Sequence, residues 1–217
     1  MGESSIESLP FVKKLKLAKV GDDEAQLAVA IAYEEGADVQ VDAQEAVKWY
    51  RQAALLGNME AQYRLARLVS RGAKGLSKNQ EMAVKLYEAA AKGGNANAQN
   101  AMGLIHLHGT GVSKDVIKAA SWFQKAADQK MPAAENSLAL MYLNGQGVER
   151  DLSKAANLFQ SAANSGDGWA LNNLGGMYEM GWGVPKDAAK AAEYYKQATE
   201  KGIVEARKNL VRVEPAS

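Results

Sequence analysis

No cysteine occurs in the chain, which excludes disulfides, thiolate metal sites and cysteine nucleophiles in any compartment. Histidine is almost as scarce. His106 and His108 are the whole imidazole complement, and the surrounding spacing supplies no further metal ligands, so no metal site and no cofactor are expected. Charge of one sign is missing too: 26 Lys and Arg stand against 25 Asp and Glu. Phosphate backbones and anionic lipid attract clustered, uncompensated cations, so nucleic acid is not an expected partner. No apolar run approaches the roughly 20 residues that span a bilayer, so membrane insertion is not expected either. The opening MGESSIESLP lacks a basic segment followed by an apolar one. The expected location is cytoplasmic if Met1 is the native start, and periplasmic or secreted if a signal peptide has been removed.

What the chain has is repetition. Ala25, Ala61, Ala98, Ala134, Ala170 and Ala206 stand 36, 37, 36, 36 and 36 residues apart, each opening the same pattern. Periods of this length mean a stacked array with one continuous core. The units run 25–60, 61–97, 98–133, 134–169 and 170–205, with capping segments at 1–24 and 206–217.

Within a unit, small and apolar residues at positions 0, 4, 5 and 8 from the alanine form one stripe of a first helix, helix A. A glycine stands at its end in all five copies: Gly36, Gly72, Gly109, Gly145 and Gly181. Glycine tolerates the left-handed conformation that closes a helix. A turn with an apolar residue follows (Val39, Leu76, Val112, Val148, Val184), and then Asp42, Asn79, Asp115, Asp151 or Asp187 caps a second helix, helix B. Four residues past the cap comes Ala46, Ala83, Ala119, Ala155 or Ala191, and eight past it an aromatic: Tyr50, Tyr87, Phe123, Phe159 or Tyr195. Small residues let helices approach and the rings fill the space between them. Helix B ends at Gly57, Gly94, Gly166 or Gly202, with Lys130 the exception, and the second copy carries one extra turn residue in Gly72-Ala73-Lys74-Gly75. Leu9 to Val20 reads as the end of a helix B and Ala206 to Val213 as a lone helix A, each closing one end of the core.

Ala170, Leu174, Gly175, Tyr178, Gly181, Gly183, Val184, Asp187, Lys190, Ala191, Tyr194, Tyr195, Ala198 and Gly202 show the pattern in full. In these residues the chain resembles the Sel-one-like repeat family, relatives of tetratricopeptide arrays with a longer unit. Departures are mild: Val69 and His106 replace the helix A tyrosine, and Lys130 the terminal glycine. The resemblance implies an all-α, right-handed superhelical α/α solenoid of five repeats with a capping helix at each end. It also implies a non-enzymatic adapter, expected to be monomeric, that binds a protein or peptide on its concave face. Some bacterial members neutralise a secreted effector enzyme, so an immunity-type inhibitor is the alternative.

No catalytic constellation argues otherwise. GTGVSK lacks the Gly-Lys-Ser/Thr of a phosphate loop and recurs as the structural turns GQGVER and GWGVPK, while the carboxylates are scattered. At about 100° per residue, positions 2, 6 and 9 of helix A lie opposite the buried stripe and face the groove. Position 2 carries Leu27, Tyr63, Asn100, Asn136 and Asn172, and three asparagines in succession suit the backbone of an extended peptide, since an amide both donates and accepts. Beside them stand Ile31, Leu104 and Leu140 at position 6 and Leu107 and Leu143 at position 9, apolar residues on a face expected to be wet. Tyr63, Arg64 and Arg67 are further candidates for aromatic and carboxylate contacts. Trp182, in the Gly181-Trp182-Gly183 loop, is a candidate interface anchor. Trp49 and Trp122 are expected in the core, and Trp169 packed in the turn between repeats.

Overall fold

The computed structural model describes residues 5–72 and 77–213, all helix and turn. The inserted turn residues 73–75 and Leu76 lie outside them. A short 3₁₀ turn at Ile6–Ser8 precedes α1 (Phe11–Lys19), α2 (Asp23–Glu35), α3 (Ala43–Leu55), α4 (Met59–Arg71), α5 (Gln80–Gly93) and α6 (Ala96–His108). After these come α7 (Val116–Asp128), α8 (Pro132–Asn144), α9 (Leu152–Asn164), α10 (Gly168–Met180), α11 (Ala188–Glu200) and α12 (Val204–Val213). Helices α2, α4, α6, α8 and α10 are the five A helices, α12 is the lone sixth, and α3, α5, α7, α9 and α11 are the B helices. Each residue set 1–102 with 110–112, and 103–109 with 113–217, forms a compact unit. In the first unit α1 packs on α2, α2 on α3, α3 on α4 and α4 on α5; in the second the same neighbour packing runs from α7 to α12. The chain is an α/α solenoid of tandem helical pairs.

The caps behave as the residue types require. Asp42, Asn79, Asp115, Asp151 and Asp187 each accept a hydrogen bond from a free amide in the first turn of a B helix. Each cap also donates its own N–H to the position-8 carbonyl of the preceding A helix (Tyr33, Val69, His106, Tyr142, Tyr178), which locks the turn. The A helices start about a residue or two ahead of the repeating alanine, and Asp22, Asn58, Asn95 and Asp167 cap them. The fourth A helix departs from this. Met131 offers no side-chain cap, and Pro132 at the first helical position takes its place.

The alanine columns are sealed: Ala25, Ala61, Ala98, Ala134, Ala170 and Ala206, with Ala46, Ala83, Ala119, Ala155 and Ala191, are all 0% exposed. The aromatic column is buried with them, each ring contributing roughly 1.5–3 kcal/mol by leaving water. Close approach explains two helical glycines. A Cβ at Gly103 would lie 2.5 Å from the Phe123 ring and one at Gly175 would lie 2.8 Å from the Tyr195 ring. In the turns, a Cβ at Gly147 or Gly183 would sit 2.2 Å from the carbonyl oxygen of Val116 or Leu152, at the start of the preceding B helix.

Three expectations change. Trp169, expected to pack in the inter-repeat turn, is 49% exposed, because it falls in the first turn of α10 one residue before the buried alanine. Trp122 is half-buried rather than core, with the Lys125 ammonium 4.2 Å above its ring, whereas Trp49 is buried as expected. The tyrosines of position 8 and His106 are half-buried at the margin of the core. There Tyr178 stacks on Tyr194 at 5.5 Å and Phe11 meets Tyr33 edge-on at 5.6 Å.

Candidate binding surface

Position 6 of helix A is open where it is leucine. Leu104 is 40% exposed and Leu140 36%, a poor use of an apolar side chain unless something covers it. One helical turn on, Leu107 and Leu143 are half-buried and pack against the second unit's core. The four leucines therefore divide: Leu104 and Leu140 face solvent, while Leu107 and Leu143 turn toward the core. All four belong to the second unit.

The asparagine column is partly spent on structure. Asn136 Oδ1 accepts from Asn173 Nδ2 at 2.9 Å, and Asn172 Oδ1 accepts from Asn209 Nδ2 at 2.9 Å, so each joins one A helix to the next. Neither Asn136 nor Asn172 directs its own amide nitrogen to a protein acceptor among the described residues, and both are half-buried. What they present is donors rather than the donor-and-acceptor pair read from the sequence. Asn100 lies in the first unit with its Oδ1 buried and unpartnered.

Arg64 and Arg67 are not free to recognise a carboxylate from outside. Arg64 bonds Glu60 at 2.7 Å, Glu35 at 3.3 Å and Glu34 at 3.5 Å, and Arg67 bonds Glu34 at 3.3 Å. Glu34 also accepts the Tyr50 hydroxyl, whose pKa is raised first by burial and then by that hydrogen bond. Tyr63 leans on Tyr87 with ring centres 6.0 Å apart. These residues knit helices α2, α3, α4 and α5 together.

Position 9 follows one rule through the copies. Where helix B carries tyrosine, position 9 is polar: Glu34 accepts from Tyr50 and Glu179 from Tyr195, while Ser70, in the copy with Tyr87, donates to the Arg67 carbonyl. Where helix B carries phenylalanine, position 9 is leucine: Leu107 packs on the core cluster of Phe123, and Leu143 on that of Phe159. Arg212 closes the last of these clusters with two bonds to Glu179, at 2.7 and 2.8 Å. The column that sequence projection turned toward a groove is thus the partner of the aromatic tip. A pairwise reading of the five copies carries the signal.

The tryptophans complete the second unit's surface. Trp169 stands three and four residues before Asn172 and Asn173, on the same face of α10, and was missed by sequence reading because its neighbour Ala170 is core. Trp182 is 42% exposed in its loop. Among the described residues no cluster of His, Asp and Glu could hold a metal ion, and no helix is long and apolar enough to cross a membrane.

Comparison with known proteins follows the same geometry. The Sel1 repeat model matches residues 23–58, 60–95, 96–131, 132–167 and 170–203. Among solved structures, a protective antigen of uropathogenic Escherichia coli with an SLR fold shares 30% identity at a TM-score of 0.87. That match covers 94% of this chain and 43% of the antigen, so the chain spans less than half of that protein's length. A Sel1 repeat protein from Oxalobacter formigenes shares 29% identity at a TM-score of 0.83, covering 96% of this chain and 87% of that one. An immunity protein from Pseudomonas aeruginosa shares the fold at 23% identity and a TM-score of 0.56, over 85% of this chain and 66% of its own. No curated protein matches the sequence. Sel1 repeats are protein-interaction scaffolds. With five tandem matches over most of its length, the chain belongs to the Sel1 repeat family.

Proposed function

We propose that the chain is a binding module whose second unit engages a protein or peptide through the exposed A-helix face of α6, α8 and α10. The observation that carries this reading is the exposure of Leu104 and Leu140 beside asparagine amides whose carbonyls are already used and whose N–H groups are free to donate. Apolar contacts supply affinity, and the N–H donors of Asn136 and Asn172 suit backbone carbonyls of an extended segment. Exposed Trp169 extends the apolar contact at one end of the face.

The test is affinity capture from the native host with the wild-type chain and with Leu104→Ser/Leu140→Ser. Both leucines are solvent-facing, so the variant keeps its fold, checked by circular dichroism, and loses the captured protein. Equal capture by a folded variant rejects the reading.

The fold likeness to two Pseudomonas aeruginosa immunity proteins supports a second reading, inhibition of one effector enzyme through the same surface. Capture of a single enzyme in a nanomolar complex that abolishes its activity favours inhibition. Micromolar binding of several peptides favours an adapter.

A further inference from the structure

The first unit holds a cleft of about 1180 Å³ that the leucine face does not use. Its floor is Leu27, Ala28 and Ile31, the outward positions of α2, and one wall is Leu56 and Met59 at the junction of α3 and α4. Leu56 is 58% and Met59 41% exposed. The cleft is open to solvent along its length and has room for the side chains of a peptide segment.

Every charged residue among the lining is acidic, beside the neutral Ser5, Asn58 and Asn95. Glu7, Asp22, Asp23, Glu24 and Glu60 line the cleft, and among the described residues no lysine or arginine does. Two of the five have structural work: Asp22 caps α2 and Glu60 pairs with Arg64 at 2.7 Å. Asp23 accepts from the neutral Asn58 amide and has no ion-pair partner among the described residues. Glu7 and Glu24 are exposed, with no ion-pair partner among the described residues. Carboxylates gathered around an apolar floor repel one another unless cations from outside join them.

We propose that this cleft docks a basic amphipathic segment of a protein partner, apolar side chains on Leu27 and Ile31 and lysine or arginine side chains on the Glu7 and Glu24 rim. The charge of the rim selects the occupant: an acidic or neutral segment of the same hydrophobicity fits the floor but not the edge. This goes beyond the leucine face, since the cleft belongs to the first unit and the leucines to the second.

The test uses the full chain and three fluorescein-labelled helical peptides of about 15 residues: leucine with lysine, leucine with glutamate, and serine with lysine, all in one pattern. Fluorescence anisotropy is expected to show saturable binding of the leucine–lysine peptide alone, weakening with salt. Glu7→Lys/Glu24→Lys, at exposed positions that leave the fold intact, weakens it about tenfold or more. Leu27→Ser weakens it as well, and Leu104→Ser/Leu140→Ser leaves it unchanged. Equal binding of the serine–lysine peptide shows undirected surface charge and overturns the proposal. So does wild-type affinity in Glu7→Lys/Glu24→Lys, or loss of binding with the Leu104/Leu140 pair. Sedimentation showing a dimer that excludes the peptide assigns the cleft to a second copy and overturns it equally.

Discussion

The Tyr195 hydroxyl donates to Glu179 at 2.7 Å across the last helical pair, and Arg212 grips the same carboxylate from the following helix at 2.7 and 2.8 Å. Tyr50, Glu34 and Arg67 repeat the arrangement in the first pair. A buried phenol needs an acceptor, and Phe123 and Phe159, which have no hydroxyl, sit with leucines instead.

Glu179→Leu is therefore expected to cost about 1–3 kcal/mol by stranding the Tyr195 hydroxyl. Combined with Tyr195→Phe it should recover most of that loss, as the third and fourth copies already manage. A double-mutant cycle by chemical denaturation gives the coupling, and additive losses would show that the pair is not a unit.

Acid should loosen the same cluster. Arg212's hydrogen bonds hold the Glu179 carboxyl below the usual glutamate range, with Tyr195's hydrogen bond adding to them. A carboxyl depressed in the folded state stabilises fully above its unfolded pKa, and that contribution fades as pH falls through the folded value. The melting temperature is thus expected to drop as pH falls below the ordinary glutamate range, and Glu179→Gln to flatten that dependence. An identical slope in the variant refutes the assignment.

The junction between the third and fourth copies is under-optimised. Gln26, Gln62 and Gln99 donate to the carbonyls of Ala18, Ala54 and Ala91, eight residues back, but Glu135 stands in that register with Oε2 buried and unpartnered. Glu135→Gln can donate to Ala127 while still accepting from Ser161, and should stabilise by about 1 kcal/mol. Lys130 takes φ 61° where other copies use glycine, yet its ammonium lies 3.9 Å from Glu135. Lys130→Gly should therefore help more when added to Glu135→Gln than alone, by about 1 kcal/mol; thermal melts of the four proteins decide.

Two glycines of similar backbone separate conformation from contact. Gly147 (φ 70°) abuts the Val116 carbonyl, while Gly166 (φ 84°) would bring a Cβ no nearer than 3.5 Å to the flexible end of Lys201. Gly166→Ala is expected to cost about 1–2 kcal/mol of left-handed strain, and Gly147→Ala clearly more. Equal melting temperatures would contradict the close approach.

Trp169 offers a readout of the proposed surface. At 49% exposure its emission should be red-shifted and quenched by acrylamide, and partner binding at α10 should shift it blue. Trp182 and Trp122 also emit from exposed or half-buried sites, so Trp169→Phe should remove the blue shift on binding and lower the acrylamide quenching without abolishing it. An unshifted spectrum on partner binding places the contact elsewhere.

What was legible from sequence was whatever each copy does alone. Alanine columns, caps such as Asp115 and Asp151, and closing glycines answer to local geometry, which one repeat displays in full. The pairing at position 9 is not legible to a single-helix projection, which sees one buried direction, whereas helix A is flanked by its own helix B and by the next helix A. Leu107 and Glu179 look like unrelated surface letters until their Phe123 and Tyr195 partners are set beside them. Arg64 and Arg67 look unpaired within their own copy for the same reason: Glu34 and Glu35 belong to the preceding copy. Trp169 escaped because one residue decides whether a side chain at a helix start joins the core or leaves it.

The arginine clamps have a consequence for how such a chain can grow. Glu34, Tyr50 and Arg67 form one indivisible group, yet the arginine lies beyond the alanine that opens the next copy, as Arg212 does beyond Ala206. A duplication cut at the alanines would part each carboxylate from its cation, while one cut between positions 6 and 9 of successive A helices would carry every clamp whole. The unit that holds a clamp together is therefore offset from the alanine-to-alanine repeat, and a graft or insertion cut to that offset keeps carboxylate, phenol and cation in one piece.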